Sequence, residues 1–185
     1  VSDPALNGAD DGGIRVRGSQ ARAVFFRGSV GSYTFKGPIV VESGAALGIG
    51  DIVFTTQPIR LQDGAMLRVG GWEATNRVAD ITFGESANDV TRYLVHGYGG
   101  VNYLSIRDSL TVNGTLEFNT YQSGTNLYPV VGTYKLMSGP KGCFDTSKYA
   151  MDSRFPLFAA TFEVVSLDAA TDGLRDRKST RLNSS

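Results

Sequence analysis

Short apolar segments recur along the chain, and helical periodicity is scarce. Glycine interrupts most segments, and no window sustains apolar residues at the i, i+3, i+4, i+7 spacing of an amphipathic helix. The segments are rich in β-branched and aromatic residues and are bounded by Gly, Asp, Asn or Ser, which is typical of β-strands. They span residues 24–26, 33–35, 39–41, 52–54, 81–83, 110–112, 116–118 and 133–136. The pattern predicts an all-β fold.

One part of this pattern repeats at a fixed offset. Residues 36–51 read KGPIVVESGAALGIGD and residues 56–71 read TQPIRLQDGAMLRVGG, which places equivalent positions 20 residues apart. The identical pairs are Pro38/Pro58, Ile39/Ile59, Gly44/Gly64, Ala45/Ala65, Leu47/Leu67 and Gly50/Gly70. A weaker third copy, LTVNGTLEF, spans residues 110–118 and has a shorter turn. Such a period indicates units that bury their apolar faces against one another.

The apolar spacing inside the repeat favours stacked coils. Ile39 and Val41 lie two residues apart and therefore face one side of a strand. Leu47 and Ile49 do the same after a turn at Gly44, where glycine supplies the positive φ of a tight corner. If one coil takes 20 residues, equivalent strands lie about 4.8 Å apart. The expected stacked pairs are Leu47 with Leu67, Ile39 with Ile59 and Ile49 with Val69. We predict a parallel β-solenoid (β-helix) with coils of about 20 residues; a β-sandwich with two similar hairpins is the alternative.

The rest of the chain divides around these repeats. Residues 1–13 form a linker or a frayed coil, and residues 14–137 hold the solenoid repeats. Residues 138–175 have longer strands and a middle broken by Pro and Gly, so we expect a terminal segment that acts as an irregular C-terminal cap. Residues 176–185 are expected to be a non-native tail.

That tail reads DRKSTRLNSS, which the codons GAT CGG AAG AGC ACA CGT CTG AAC TCC AGT encode in order. The string resembles a short-read sequencing adaptor translated in frame, and the alternative is a basic, disordered terminus. The chain has 18 basic and 18 acidic residues, and the tail holds three of the former and one of the latter. Without the tail, 15 basic and 17 acidic residues remain, a net charge of −2. The chain is therefore expected to be a fragment of a longer protein.

Composition excludes several classes of function. The balanced charge gives no electrostatic reason for a nucleic-acid or anionic-membrane partner. Cys143 is the only cysteine and His96 the only histidine, which excludes an intramolecular disulfide framework and a cysteine- or histidine-rich metal site. No apolar run approaches the 18 residues of a membrane-spanning helix. No phosphate-binding or dinucleotide glycine motif is present, so we predict no cofactor.

Few residues are suited to catalysis. His96 is a potential general base, but a single histidine without a nucleophile motif does not make a triad. Cys143 is either a nucleophile or a small core residue. The carboxylate candidates are Asp10 with Asp11, Glu85 with Asp89, and Asp108 beside Arg107, and none lies in a calcium-loop pattern. We predict no catalytic residues and no metal site.

Tyrosines are the only candidates for ligand binding. Tyr93, Tyr98 and Tyr103 recur every five residues, with glycines between them. A flat row of tyrosines would stack on sugar rings or contact a protein surface, so glycans and surface proteins are the candidate partners. The alternative is that these rings pack in the core or in turns.

The segment YTFKGPIVVESGAALGIG, residues 33–50, resembles the autotransporter-associated β-strand repeat, whose usual form is near TYTGGTTVNAGTLxVG. The matching positions are Tyr33, Thr34, Gly37, Val41, Gly44, Leu47, Ile49 and Gly50. Residues 110–118 resemble the same motif, whereas Pro38 and Ile39 stand where the family more often has Gly-Thr. The resemblance implies a β-solenoid passenger region of an exported bacterial protein, without catalytic residues.

Two hypotheses of function follow from these observations. The first is a non-enzymatic fragment of a secreted or cell-surface protein, outer membrane-associated in its full length, acting as a stalk or adhesin-like passenger. The fragment itself is not expected to span a membrane. The alternative is a carbohydrate-active β-helix enzyme, a polysaccharide lyase or hydrolase. Such an enzyme needs clustered carboxylates with a base on one face, whereas a stalk needs only a solvated polar face.

Overall fold

The computed structural model describes residues 12–20, 23–27, 35, 37–50, 53–54, 56–70, 76–97, 104–122, 132–153 and 158–180. These residues form fifteen β-strands and one short 3-10 helix, Thr146–Lys148. The strands are β1 (Ile14–Val16), β2 (Val24–Arg27), β3 (Ile39–Val41), β4 (Ala46–Gly50), β5 (Val53–Phe54), β6 (Ile59–Leu61), β7 (Met66–Gly70), β8 (Asn76–Phe83), β9 (Val90–Gly97), β10 (Leu104–Val112), β11 (Thr115–Gln122), β12 (Gly132–Pro140), β13 (Tyr149–Met151), β14 (Phe158–Ser166) and β15 (Thr171–Thr180). The predicted all-β class is confirmed. No helix among these residues is long and apolar enough to cross a membrane.

The strands form two sheets. Sheet 1 has nine strands in the order β1-β3-β6-β8-β10-β12-β15-β14, with β5 also paired to β8, and sheet 2 has six in the order β13-β11-β9-β7-β4-β2. From β6 to β13 successive strands alternate between the sheets, so a strand pairs with one that follows it after a crossover. Pairing is parallel throughout, except for the β12–β15 and β14–β15 pairs.

The 20-residue repeat appears directly in the strand register. Strand β3 pairs with β6 in sheet 1, and β4 pairs with β7 in sheet 2. The opposed residues include Ile39 and Ile59, Leu47 and Leu67, and Ile49 and Val69. These predicted pairs are confirmed, and all six side chains are fully buried. Burying side chains of this size stabilises the fold by about 1.5–3 kcal/mol each.

The turn between the sheets depends on glycine. Gly44 and Gly64 have φ values of +72° and +68°, in the left-handed region where a side chain is strained. Each turn is closed by one backbone bond, from Ala45 N–H to Glu42 O at 2.9 Å and from Ala65 N–H to Gln62 O at 3.0 Å. A Cβ on Gly64 would lie 3.5 Å from the Gly44 nitrogen, so the two turns stack closely.

Strand β8 pairs with two different strands along its length. Its residues 77–78 pair with β5, and its residues 81–83 pair with β6. Strand β10 follows β8 along both halves, but the register shifts between Ile106 and Ser109. This shift marks a bend in sheet 1 that is important for the site described below.

Aromatic side chains from β8, β9 and β11 cluster in the core. Tyr93 lies opposite Leu67 in sheet 2 and continues the inward column of Val24, Leu47 and Leu67. Its ring centroid is 6.4 Å from that of Phe83 and 5.4 Å from that of Phe118. Such edge-on and tilted geometries are favourable for aromatic pairs.

The pairing changes to antiparallel near the C-terminus. Strand β15 lies between β12 and β14 and pairs antiparallel with both. The predicted boundary between residues 137 and 138 falls inside β12, and β13 still adds a parallel strand to β11. The backbone of residues 176–180, predicted to be part of a non-native tail, lies in β15. The origin of those residues stays a prediction.

Candidate functional site

A cleft of about 510 Å³ opens beside the bend of sheet 1. Four strands and the turn before β15 contribute its walls. The lining residues are Arg77, Val78 and Ala79 of β8, Ser105, Ile106 and Arg107 of β10, Gly139 and Pro140 of β12, and Ala170 and Thr171. A cleft of this volume has the size of a small-molecule site.

A β-bulge in β10 forms one wall of this cleft. Val78 of β8 is opposite Ile106, and the next aligned residue, Asp80, is opposite Ser109. The intervening Arg107 and Asp108 therefore face the single residue Ala79. Bulges of this kind redirect side chains and are over-represented near functional sites.

The separation of β12 from β10 forms the other wall. Their parallel pairing ends at Ser105 and Ser138, whereas β12 stays paired with β15 on its other edge as far as Pro140. Pro140 has no N–H group with which to extend a ladder. Gly139 has little room for a side chain, because a Cβ there would lie 2.8 Å from the Cys143 sulfur. The cleft thus lies where two neighbouring strands diverge.

The charged residues that line the cleft are Arg77 and Arg107, and the carboxylates of Asp80 and Asp108 lie beside Arg107. Arg107 is tied to Asp108, with its Nε 2.7 Å from Oδ1, and this contact lowers the pKa of Asp108. Asp80 accepts a hydrogen bond from the Ser109 hydroxyl. Arg77 is exposed, and its guanidinium has no hydrogen bond or ion pair with any residue that the structure describes. One guanidinium is therefore available to a ligand.

The other carboxylate candidates hold turns. Asp89 Oδ2 accepts hydrogen bonds from the N–H groups of Glu85 at 2.7 Å and Ser86 at 3.2 Å. Together with the Ser86 hydroxyl, these bonds lower the pKa of Asp89. Asp63 accepts from the Val90 N–H at 2.9 Å. Within the described parts of the chain, no three His, Cys, Asp or Glu side chains are placed to hold a metal ion. Asp10 and Asp11 lie outside those parts.

Tyr93, the first of the three candidate tyrosines, is fully buried. Its hydroxyl donates to Leu136 O at 2.9 Å, and burial raises the pKa of that hydroxyl. A buried ring cannot stack on a surface ligand, so Tyr93 follows the core-packing alternative. Tyr98 and Tyr103 lie outside the described residues, as does the side chain of His96.

Cys143 is half-buried near the 3-10 helix and forms no disulfide. It lines a smaller cleft of about 210 Å³ together with Asp145, Lys148 and Tyr149. Burial raises the pKa of its thiol to about 11. Since the thiolate is the reactive form, the thiol is a poor nucleophile at neutral pH.

This raised pKa predicts slow alkylation of the folded protein. At pH 8 a pKa of about 11 leaves about one thiolate in a thousand. We therefore expect iodoacetamide to react with Cys143 at least tenfold more slowly in the folded chain than in urea, and the folded rate to keep rising up to about pH 11. Equal rates in both states, or a plateau near pH 8.5, would contradict the assignment.

The cleft was not predicted from the sequence, although one feature of the sequence indicated the bulge beside it. Leu104, Ile106, Leu110 and Val112 share the spacing of one strand face, which would direct Asp108 into the core of a regular strand. A charge at that position indicates an extra residue in the strand. Arg77 and Ser105 carry no such signal, because exposed polar residues on a strand are ordinary.

Comparisons with known proteins do not assign the chain. No protein-family model matches it, and no curated protein or solved structure matches it significantly. The resemblance to autotransporter-associated repeats therefore stays a prediction, and a proposal of function depends on the geometry described above.

Proposed function

We propose that this chain is part of a parallel β-solenoid with a non-enzymatic role, a stalk or adhesin-like passenger of an exported bacterial protein. The observation that carries the proposal is the register of the repeat, which is kept in both sheets at once. The solenoid would act as a rigid spacer that holds binding surfaces away from the cell.

The stacked columns account for rigidity. Each repeat contributes hydrogen-bonded strands to two sheets and buried aliphatic side chains to the space between them. Bending such a stack would break ladder hydrogen bonds and open the close-packed core. Outward residues of the same strands, such as Arg60 and Thr111, are exposed and polar. The inner columns therefore supply stiffness, and the outer face is free to vary.

The carbohydrate-active alternative has less support. General acid–base cleavage of a glycosidic bond needs two carboxylates positioned on either side of that bond. Asp108 is paired with Arg107, and Asp89 is engaged by three hydrogen bonds within its turn. Among the described residues, these carboxylates serve the fold rather than an open catalytic pair.

A cross-linking experiment tests the stacking of the repeats. Val40 and Arg60 are direct partners on the outer face of sheet 1, and Thr82 lies one strand further. Neighbouring strands are about 4.8 Å apart, which a disulfide spans, whereas twice that distance exceeds its reach of about 6.8 Å. With Cys143 replaced by Ala, we expect Val40→Cys/Arg60→Cys to oxidise readily and Val40→Cys/Thr82→Cys to remain reduced. Thiol titration and non-reducing mass spectrometry measure both, and equal yields would contradict the stacking.

The non-enzymatic role is tested separately on the purified chain. We expect no release of reducing ends or unsaturated sugars from a panel of acidic and neutral polysaccharides. Turnover that survives repurification would favour the enzyme alternative. A positive result would not affect the disulfide experiment, so fold and function can fail independently.

A further inference from the structure

We infer that the cleft at the bend of sheet 1 binds an acidic saccharide unit, a sugar ring that carries a carboxylate or a sulfate group. This assignment goes beyond the proposed role as a spacer. It does not depend on whether the protein is exported, because the residues that line the cleft all belong to the described part of this chain. The class of ligand follows from the charge, the shape and the hydroxyl groups of the cleft.

One of the two arginines that line the cleft is placed to bind an anion, whereas Asp80 and Asp108 lie beside the other. Arg107 is neutralised by Asp108, whereas Arg77 projects from β8 beside the cleft with no described partner. A guanidinium presents a planar fork of N–H donors that matches the oxygens of a carboxylate or a sulfate. An anionic group bound at Arg77 would give this guanidinium a partner, as Asp108 does for Arg107.

The floor of the cleft suits the carbon skeleton of a sugar. Val78, Ala79 and Ile106 lie beneath it and are at most 3 % exposed, so its accessible apolar groups are those of half-buried Pro140 and exposed Ala170. The C–H groups of a pyranose ring can cover such a surface without losing hydrogen bonds. A free inorganic anion would leave this floor uncovered.

Hydroxyl and backbone groups lie at the rim. Ser105 is partly exposed on the outer side of β10, and Thr171, whose hydroxyl makes a hydrogen bond to Asp168, lines the cleft from the start of β15. Hydroxyls both donate and accept, which suits the hydroxyl groups of a sugar. The hydrogen-bonded pairing of β10 with β12 ends at Ser105. Beyond this residue a ligand would contact the unpaired backbone edge of a strand as well as side chains.

Calorimetric titration of the full chain tests this assignment. The probes are trigalacturonate for the carboxylate, a sulfated chondroitin disaccharide for the sulfate, and neutral galactotriose as the uncharged control. We expect an acidic saccharide to bind and galactotriose to bind at least tenfold more weakly. Arg77→Gln should weaken acidic binding by about tenfold or more, the scale of one charge-assisted contact.

Arg60→Gln is the matched control. Arg60 is also an exposed arginine on a sheet 1 strand without a described partner, but it lies outside the cleft. We expect this variant to keep its affinity within twofold and both variants to melt like the parent. Equal weakening by the two substitutions would mean unspecific charge attraction and would overturn the site.

The remaining outcomes are also decisive. Preference for trigalacturonate or for the sulfated disaccharide identifies the anionic group, and either supports the site if it depends on Arg77. Binding of galactotriose as tightly as the acidic probes, binding of inorganic sulfate or a triaspartate peptide alone, or binding of no probe would each refute it. None of these results changes the disulfide test of the stacked repeats.

Discussion

Replacing Leu61 by Asp is expected to prevent folding. Leu61 is fully buried in β6, between Val41 of β3 and Phe83 of β8. An aspartate there would place a carboxylate in the apolar column without a partner, at a cost of several kcal/mol on top of the lost apolar contact. Because a native domain is stable by only about 5–15 kcal/mol, a loss of this size removes most of its margin. Circular dichroism should show no cooperative thermal transition.

Arg60→Asp is the control for this substitution. Arg60 precedes Leu61 in the same strand, but its side chain is exposed on the opposite face. We expect its free energy of unfolding to change by less than about 0.5 kcal/mol, as is usual for surface substitutions. Similar melting of Leu61→Asp and the parent would disprove the inward column, and unfolding of both variants would disprove the assignment of faces.

Replacing Gly114 by Ala is expected to cost about 3 kcal/mol, the upper end for over-packing. A Cβ on Gly114 would lie 2.1 Å from the Asp89 carbonyl oxygen and 2.9 Å from the Asp89 backbone nitrogen. That carbonyl also accepts the Thr115 N–H at 2.8 Å, so it cannot move away without breaking a ladder contact. The clash is with backbone rather than with a flexible side chain. Urea denaturation followed by circular dichroism measures the change.

Two other glycines calibrate this result. Gly44 has a φ of +72°, and a Cβ added there would meet no atom within 4 Å, so Gly44→Ala should cost only the left-handed strain of about 1–2 kcal/mol. Gly12 has neither constraint, and Gly12→Ala should be neutral. The expected order of destabilisation is Gly114, Gly44, Gly12. A larger effect at Gly44 than at Gly114 would show that turn strain, not close approach, governs these positions.

Much of the architecture was predictable because the repeat is local and keeps its apolar positions and its turn glycine at a constant offset. Alternation assigns Ile39 and Val41 to one face, and the offset of 20 residues selects Ile59 and Leu61 as their partners. Strand β9 was harder to predict, since its residue Tyr93 replaces the leucine of the repeat and its neighbouring glycines obscure the pattern. Tyr93 lies opposite Leu67 because β7 pairs with β9 in one register from Met66 to Val69.

The candidate site was less predictable for a related reason. Arg107 and Asp108 were visible as a charged pair, but their effect depends on the extra residue that β10 carries relative to β8. The cleft also needs β12 to separate from β10 after Ser138 while it stays paired with β15. No sequence pattern near Arg77 predicts the extra residue in β10 or the separation of β12 from β10.

Alternating apolar positions and the 20-residue period were sufficient to establish strand class, inward faces and the partners of the first two repeats. These properties follow from bond geometry and from burial, which act on neighbouring residues. The register that buries Tyr93 and the cleft beside Arg77 required the folded chain. Both depend on how strands distant in sequence pair with one another, and the energy of that pairing is set by three-dimensional packing.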